Sequence, residues 1–253
     1  MAYAHGVRAS ASRVSWLGAR GAAPLGAALR GDRRARSVLV LLAVLAAAVT
    51  AFAHVAEDYL THDPLARWDV DFARWLHEHS TPALVEAFDV VTLAGNAVVL
   101  LLVALAAAVV VARRARISEA ALLLGAYFGA EALNATLKVV FHRPRPELAF
   151  VDLETYSFPS GHAMASTVVY VLVAHLVAGA ARHRVARLGA FATAAALVGA
   201  ICFSRLYLGA HYLSDVLAGV SAGLAWLAAC LLVYEAYSGR RELGQLVRRR
   251  RSG

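Results

Sequence analysis

Cysteine is scarce in this chain and lysine is almost absent. The two cysteines, Cys202 and Cys230, each lie inside a long apolar run. That placement excludes a disulfide framework or a paired metal-ligand set and leaves them as small core residues. Of the 25 basic residues all but Lys138 are arginine. Charged residues make up only 17% of the 253, and hydrophobic residues 60%, which lies outside the range of soluble globular domains. A net charge of +8 does not mark a nucleic-acid binder, because the arginines cluster beside hydrophobic segments and no nucleic-acid motif accompanies them. Anionic lipid headgroups and membrane topology account for them better.

What is present is apolar sequence in blocks. Segments at 37–56, 90–112, 117–141, 163–181, 188–204 and 214–237 are separated by polar or basic punctuation. About 20 apolar residues span a hydrocarbon core of roughly 30 Å, so the expected architecture is all-α, an integral membrane bundle of six transmembrane helices. Residues 1–36, with seven arginines and one acid, Asp32, read as a disordered basic cytoplasmic tail, although an organellar transit peptide has a similar composition. The membrane domain is expected over 37–237, followed by a second basic tail over 238–253.

Basic residues flanking short loops stay on the cytoplasmic side. Nineteen of the 25 lie in the N-terminal tail, the loop with Arg113, Arg114 and Arg116, the loop with Arg182, Arg184 and Arg187, and the C-terminus. Those regions alternate correctly for six spans. Both termini are therefore expected in the cytoplasm, with the loops at 57–89, 142–162 and 205–213 on the opposite side. The first of these outer loops carries Trp68, Phe72, Trp75 and Leu76 at helical spacing, with Asp69, Asp71 and Arg74 on other faces. This is the pattern of a short amphipathic helix lying at the membrane interface. A further helix is expected to start at Thr81-Pro82, a capping residue followed by proline.

Three polar clusters interrupt the outer half: Lys138 to Pro146, Pro159 to His162, and Ser204 to Asp215. Charge at membrane depth is expensive and calls for a function or a partner. Lys138 ends the third span and Arg145 follows seven residues later, a spacing that stays on one helical face, with Pro144 and Pro146 expected to end the helix. An ammonium and a planar guanidinium together suit phosphoryl oxygens. Ser160 and Gly161 precede the fourth apolar run, where free backbone N–H groups cradle an anion, and His162 stands beside it as a proton donor. His211 and Asp215 are expected to open the sixth span at i and i+4, the carboxylate fixing the tautomer and leaving the other ring nitrogen free as a nucleophile. Arg205 adds a second guanidinium. Arg143 reads as an interfacial cation, and Asn134 as an interhelical hydrogen-bonding group.

In this order and spacing the clusters resemble the signature of the type 2 phosphatidic acid phosphatase superfamily. Lysine, six residues, Arg-Pro is matched by Lys138, Arg145 and Pro146. Pro-Ser-Gly-His is matched by residues 159–162. Ser-Arg, five residues, His, three residues, Asp is matched by Ser204, Arg205, His211 and Asp215. The resemblance implies a helical membrane core holding phosphate between the third to sixth helices. It assigns His211 as the nucleophile, Asp215 as its orienting partner, His162 as acid and then base, and Lys138, Arg145, Ser160, Gly161 and Arg205 as substrate-binding groups. It implies no metal ion or other cofactor. The expected substrate is a lipid phosphate or diphosphate in the bilayer: a polyprenyl diphosphate such as undecaprenyl diphosphate, phosphatidic acid, phosphatidylglycerol phosphate, or a polyprenyl-phosphate sugar phosphate. A phosphotransferase sharing the first step, and a non-catalytic lipid-binding relative, are the alternatives. The arginine- and alanine-rich composition leans toward a bacterial cell membrane.

Overall fold

The computed structural model describes residues 33–61, 64–147, 149–150 and 155–251. Most of the expected N-terminal tail lies outside these residues. Residues 38–253 form one compact unit, and its packing is described below. Among the described residues the regular structure is helical, without strands.

Helix α1 (Arg33–Thr61) is followed by α2 (Pro64–Glu78) and α3 (Pro82–Thr92), a short 3-10 turn (Leu93–Gly95), α4 (Ala97–Ala112), α5 (Ile117–Phe141), α6 (Gly161–Ala180), α7 (Arg184–Tyr207) and α8 (Leu213–Arg251). Among the described residues, five helices are individually long and apolar enough to cross a membrane, and the bent pair α3–α4 meets the same criterion only when its two halves are taken together, for five to six candidate spans. The chain is a multi-pass membrane protein. Its outer surface carries large apolar side chains, Val40, Val98, Leu102, Val140, Val185 and Val233 among them, all more than half exposed, as hydrocarbon rather than water requires.

The second span departs from the expected single helix over 90–112. Asn96 leaves the helical region and its side chain accepts from the Val98 backbone N–H, capping α4 as a new helix. The two halves are bent by 44°. Thr81 caps α3 with Pro82 at its first position, as the sequence leads one to expect.

Helix α6 is the hub, packing against α4, α5, α7 and α8. Its buried residues interleave small ones, Ala163, Ala165, Ser166, Ala174 and Ala178, with larger ones such as Met164, Val168 and Leu172. In a bilayer, where lipid removes the hydrophobic drive between helices, association depends on such close packing. Gly219 of α8 extends this principle: a Cβ there would stand 2.6 Å from the Ser160 carbonyl oxygen, so only glycine lets α8 approach the start of α6. Helix α1 lies at the periphery, joined through aromatic contacts of Phe52 and Tyr59 with Phe141 and Phe158. Helix α8 runs without interruption past 237 to Arg251, through the segment read as a separate tail.

Candidate active site

The three clusters converge at one end of the bundle. Helix α5 ends at Phe141, where His142 takes a left-handed conformation (φ 48°). Arg143 precedes Pro144, a position that disfavours helix. Arg145 therefore lies beyond the helix rather than on the Lys138 face, contrary to the expected two-turn register. The two cations meet all the same, because the segment at 155–156 receives both. Lys138 Nζ donates to the Tyr156 carbonyl, while Arg145 Nε donates to the Thr155 carbonyl at 2.7 Å and Nη2 to Thr155 Oγ1 at 2.9 Å. Burial lowers the Arg145 pKa, and the nearby Asp215 carboxylate opposes that shift.

Ser160 is the N-cap of α6. Its hydroxyl oxygen accepts from the Ala163 N–H, which leaves its own O–H free to donate. Gly161 packs against Asn134, whose Oδ1 would lie 2.9 Å from an added Cβ, and Asn134 Nδ2 donates to the Pro159 carbonyl at 3.2 Å. The hydrogen bond expected between helices instead ties α5 to the segment leading into α6. His162, one residue further on, shares its electrostatic surroundings with the cations Arg205, Arg145 and Lys138.

His211 and Asp215 make contact, but not as two turns of one helix. His211 precedes α8, which begins at Leu213. Asp215, in the first turn of that helix, reaches back so that Oδ2 accepts the Tyr212 backbone N–H at 2.9 Å. This is the reciprocal half of a capping box. The same oxygen lies 3.4 Å from His211 Nδ1. On the other side of the ring Arg145 Nη1 is 3.3 Å from Nε2. A guanidinium can only donate, so Nε2 must be the accepting nitrogen and Nδ1 carries the proton toward Asp215. Burial drives the His211 pKa down to about 4; the hydrogen bond and charge of Asp215 pull the other way without overcoming it. The imidazole is thus neutral at pH 7 with its Nε2 lone pair directed at a cationic group.

Arg205 is buried at the end of α7 and donates through Nη1 to Thr92 Oγ1 at 2.8 Å. Its Nε is a buried donor with no protein partner. Leaving such a donor unsatisfied costs about 1–3 kcal/mol, a cost that an anion oxygen would remove. Thr92 sits immediately before the bend in the second span, so the break at residues 93–96 serves to place this partner.

Arg143 is not an interfacial cation. It is 5% exposed and donates to Asp215 Oδ1 through Nη1 and to Asp69 Oδ2 through Nη2, each at 2.8 Å. Asp69, read from sequence as lying on a polar face of the amphipathic helix, points into the protein and is 1% exposed. Trp68 and Trp75 of the same helix are exposed, at 68% and 52%. The sequence did hold a signal for Asp69: it lies seven residues before the buried Leu76, on the same helical stripe.

Comparison with known proteins gives a consistent family. The sequence profile of the PAP2 superfamily matches residues 119–238. Over 109 residues the chain is 38% identical to phosphatidylglycerophosphatase B of Bacillus subtilis (strain 168), covering 41% of this chain and 52% of that protein. The chain thus spans about half the length of this curated relative. A crystal structure described as the first transmembrane PAP2 type phosphatidylglycerolphosphate phosphatase from Bacillus subtilis superposes with a TM-score of 0.68 at 23% identity, covering 78% of this chain and 96% of the other. At that identity the likeness concerns the fold.

Proposed function

With residues 119–238 forming a PAP2 superfamily domain, we propose that the chain is a metal-independent phosphatase acting on a membrane lipid phosphate through a phosphohistidine at His211. The observation that carries this reading is the His211 ring itself: Nδ1 faces Asp215 while Nε2 accepts from Arg145 at 3.3 Å. A phosphoryl group held by that guanidinium lies where the lone pair can reach phosphorus.

In the first step the Nε2 lone pair forms an N–P bond as the P–O bond to the leaving oxygen breaks, and His162 gives its proton to that oxygen. Asp215 stabilises the charge that develops on the imidazole. In the second step water attacks phosphorus, passes its proton to His162, and the N–P bond breaks to return neutral His211. Charge on the transferring oxygens is met by Lys138, Arg145, Arg205 with its unpaired Nε, the Ser160 hydroxyl and the Gly161 N–H, the electrostatic contribution that dominates phosphoryl transfer. The clustering of arginine in the opposite loops and at both ends of the sequence supports an extracytoplasmic site at this end of the bundle. The substrate is a lipid whose tail stays in the bilayer, and the 38% identical relative named a phosphatidylglycerophosphatase makes phosphatidylglycerol phosphate the first candidate, ahead of phosphatidic acid and polyprenyl diphosphates.

The test is phosphate release in EDTA by the detergent-purified chain from each of these lipids and from a soluble phosphoester, alongside His211→Ala. Release that disappears in the variant, with an acid-labile and alkali-stable phosphoryl label on the wild-type protein, is the expected result. Undiminished release by His211→Ala would overturn the assignment. A label that passes to an added alcohol but not to water would convert the reading to phosphotransfer.

A further inference from the structure

Two buried carboxylates from different helices share one guanidinium beside His211. Asp69 comes from α2 and Asp215 from the first turn of α8, and Arg143 lies between them. The guanidinium carbon lies over the rings of Tyr59 and Tyr212, 4.7 and 4.4 Å from their centroids. Such cation–π contacts gain in strength when desolvated.

Asp69 does more than balance charge. Its Oδ1 accepts the Ser214 backbone N–H at 2.9 Å, and its Oδ2 accepts from the Ser214 hydroxyl as well as from Arg143. Arg143 Nη1 in turn donates to Ser214 Oγ at 2.6 Å. The free N–H groups that open α8 are therefore met from two sides, by Asp215 from within the helix and by Asp69 from across the interface. Capping of a helix by a carboxylate is ordinary; here the cap belongs to another helix, and the residue adjoining the capped Ser214 is Asp215.

We propose that Asp69 is a positioning residue for the His211–Asp215 pair, holding Arg143 and the first turn of α8 so that the Asp215 carboxylate faces His211 Nδ1. The proposal rests on His211 as the reacting nitrogen. Without the Asp69 charge, Arg143 has a single carboxylate within reach, and its planar fork closes on Asp215 with both nitrogens. Oδ2 is then drawn from the imidazole and from the Tyr212 N–H. The ring loses the group that fixes its tautomer, while the phosphate-binding cations Lys138, Arg145 and Arg205 are untouched.

The experiment uses the full-length protein in detergent with Asp69→Asn, nearly isosteric and uncharged. Turnover is expected to fall about 10- to 100-fold, the scale of a misplaced catalytic group, with KM within about twofold of the original. Histidine 15N NMR, assigned with His211→Ala, is expected to show His211 as the Nδ1–H tautomer in the parent protein and as a mixture in Asp69→Asn. Leu76→Ala is the control, removing a buried contact of the same helix without touching the network: it should lower thermal stability and leave turnover unchanged. Parent-like turnover and tautomer in Asp69→Asn, or an equal loss in Leu76→Ala, would overturn the proposal. If Asp69→Asn does not fold, Arg143→Lys, which keeps the charge but lacks the planar fork whose two nitrogens reach Asp69 and Asp215 separately, is expected to show the same loss, and parent-like behaviour there is equally decisive. The NMR result needs no substrate, so a chain that released no phosphate would defeat the phosphatase reading while leaving this one to be decided.

Discussion

Asp215 holds His211 Nδ1 with the same oxygen, Oδ2, that accepts the Tyr212 N–H. One carboxylate oxygen thus serves both as a helix cap and as the partner of the proposed nucleophile, and its other oxygen is bound by Arg143. Truncating the Asp215 side chain removes both functions at once.

Asp215→Asn separates them. The amide oxygen still accepts from the Tyr212 N–H, so α8 keeps its cap, but the charge that steadies a cationic phosphoimidazole is gone. Turnover is expected to fall about 10²-fold or more, with binding of an unreactive phosphate analogue within a few-fold of the parent. Unchanged turnover would remove Asp215 from the mechanism.

The low His211 pKa, about 4, has a defined sign in stability. A free histidine takes up its proton near pH 6.5, whereas the folded protein resists protonation until about pH 4. Between these values the unfolded chain binds more protons, so this residue lowers stability as pH falls from about 6.5 to about 4 and has no such effect above. Thermal denaturation across that window should show a smaller loss for His211→Ala than for the parent. An NMR midpoint for His211 near 6.5 would contradict the buried, neutral imidazole.

Gly219→Ala places a methyl group 2.6 Å from a main-chain oxygen of the Ser160 N-cap. Backbone cannot yield as a flexible side chain does, and the expected cost is about 1–3 kcal/mol. Activity should drop together with thermal stability, because the displaced residue begins the anion cradle. Gly199, with open space around it, should accept the same change without effect on either.

Topology is tested with a cysteine-free background, Cys202 and Cys230 replaced by alanine, carrying Glu147→Cys or Arg114→Cys. Both positions are exposed. An impermeant thiol reagent applied to intact cells should label the first and reach the second only after lysis. The reverse pattern would place the site in the cytoplasm.

What could be read from sequence followed its range. Local signals held: Thr81-Pro82 opens α3 and Ser160 caps α6, since capping depends on residues within one turn. The break at Leu93–Asn96 was hidden by a continuous apolar run, in which Asn96 was the single cue. The placement of His211 ahead of α8, and of Arg145 beyond α5, escaped because each sits at a helix end, where a residue or two decides whether periodicity applies. The pairing of Asp69 with Arg143 spans 74 residues, and neither residue's neighbours disclose the other.

The one lysine in the chain, Lys138, has its ammonium on the Tyr156 carbonyl, beside the cations proposed to bind phosphate. Apart from the terminal amine, an amine-selective reagent meets a single side-chain target. The protein therefore carries a built-in reporter, in which slower acylation of Lys138 in the presence of a phosphate ligand measures occupancy without any engineered label.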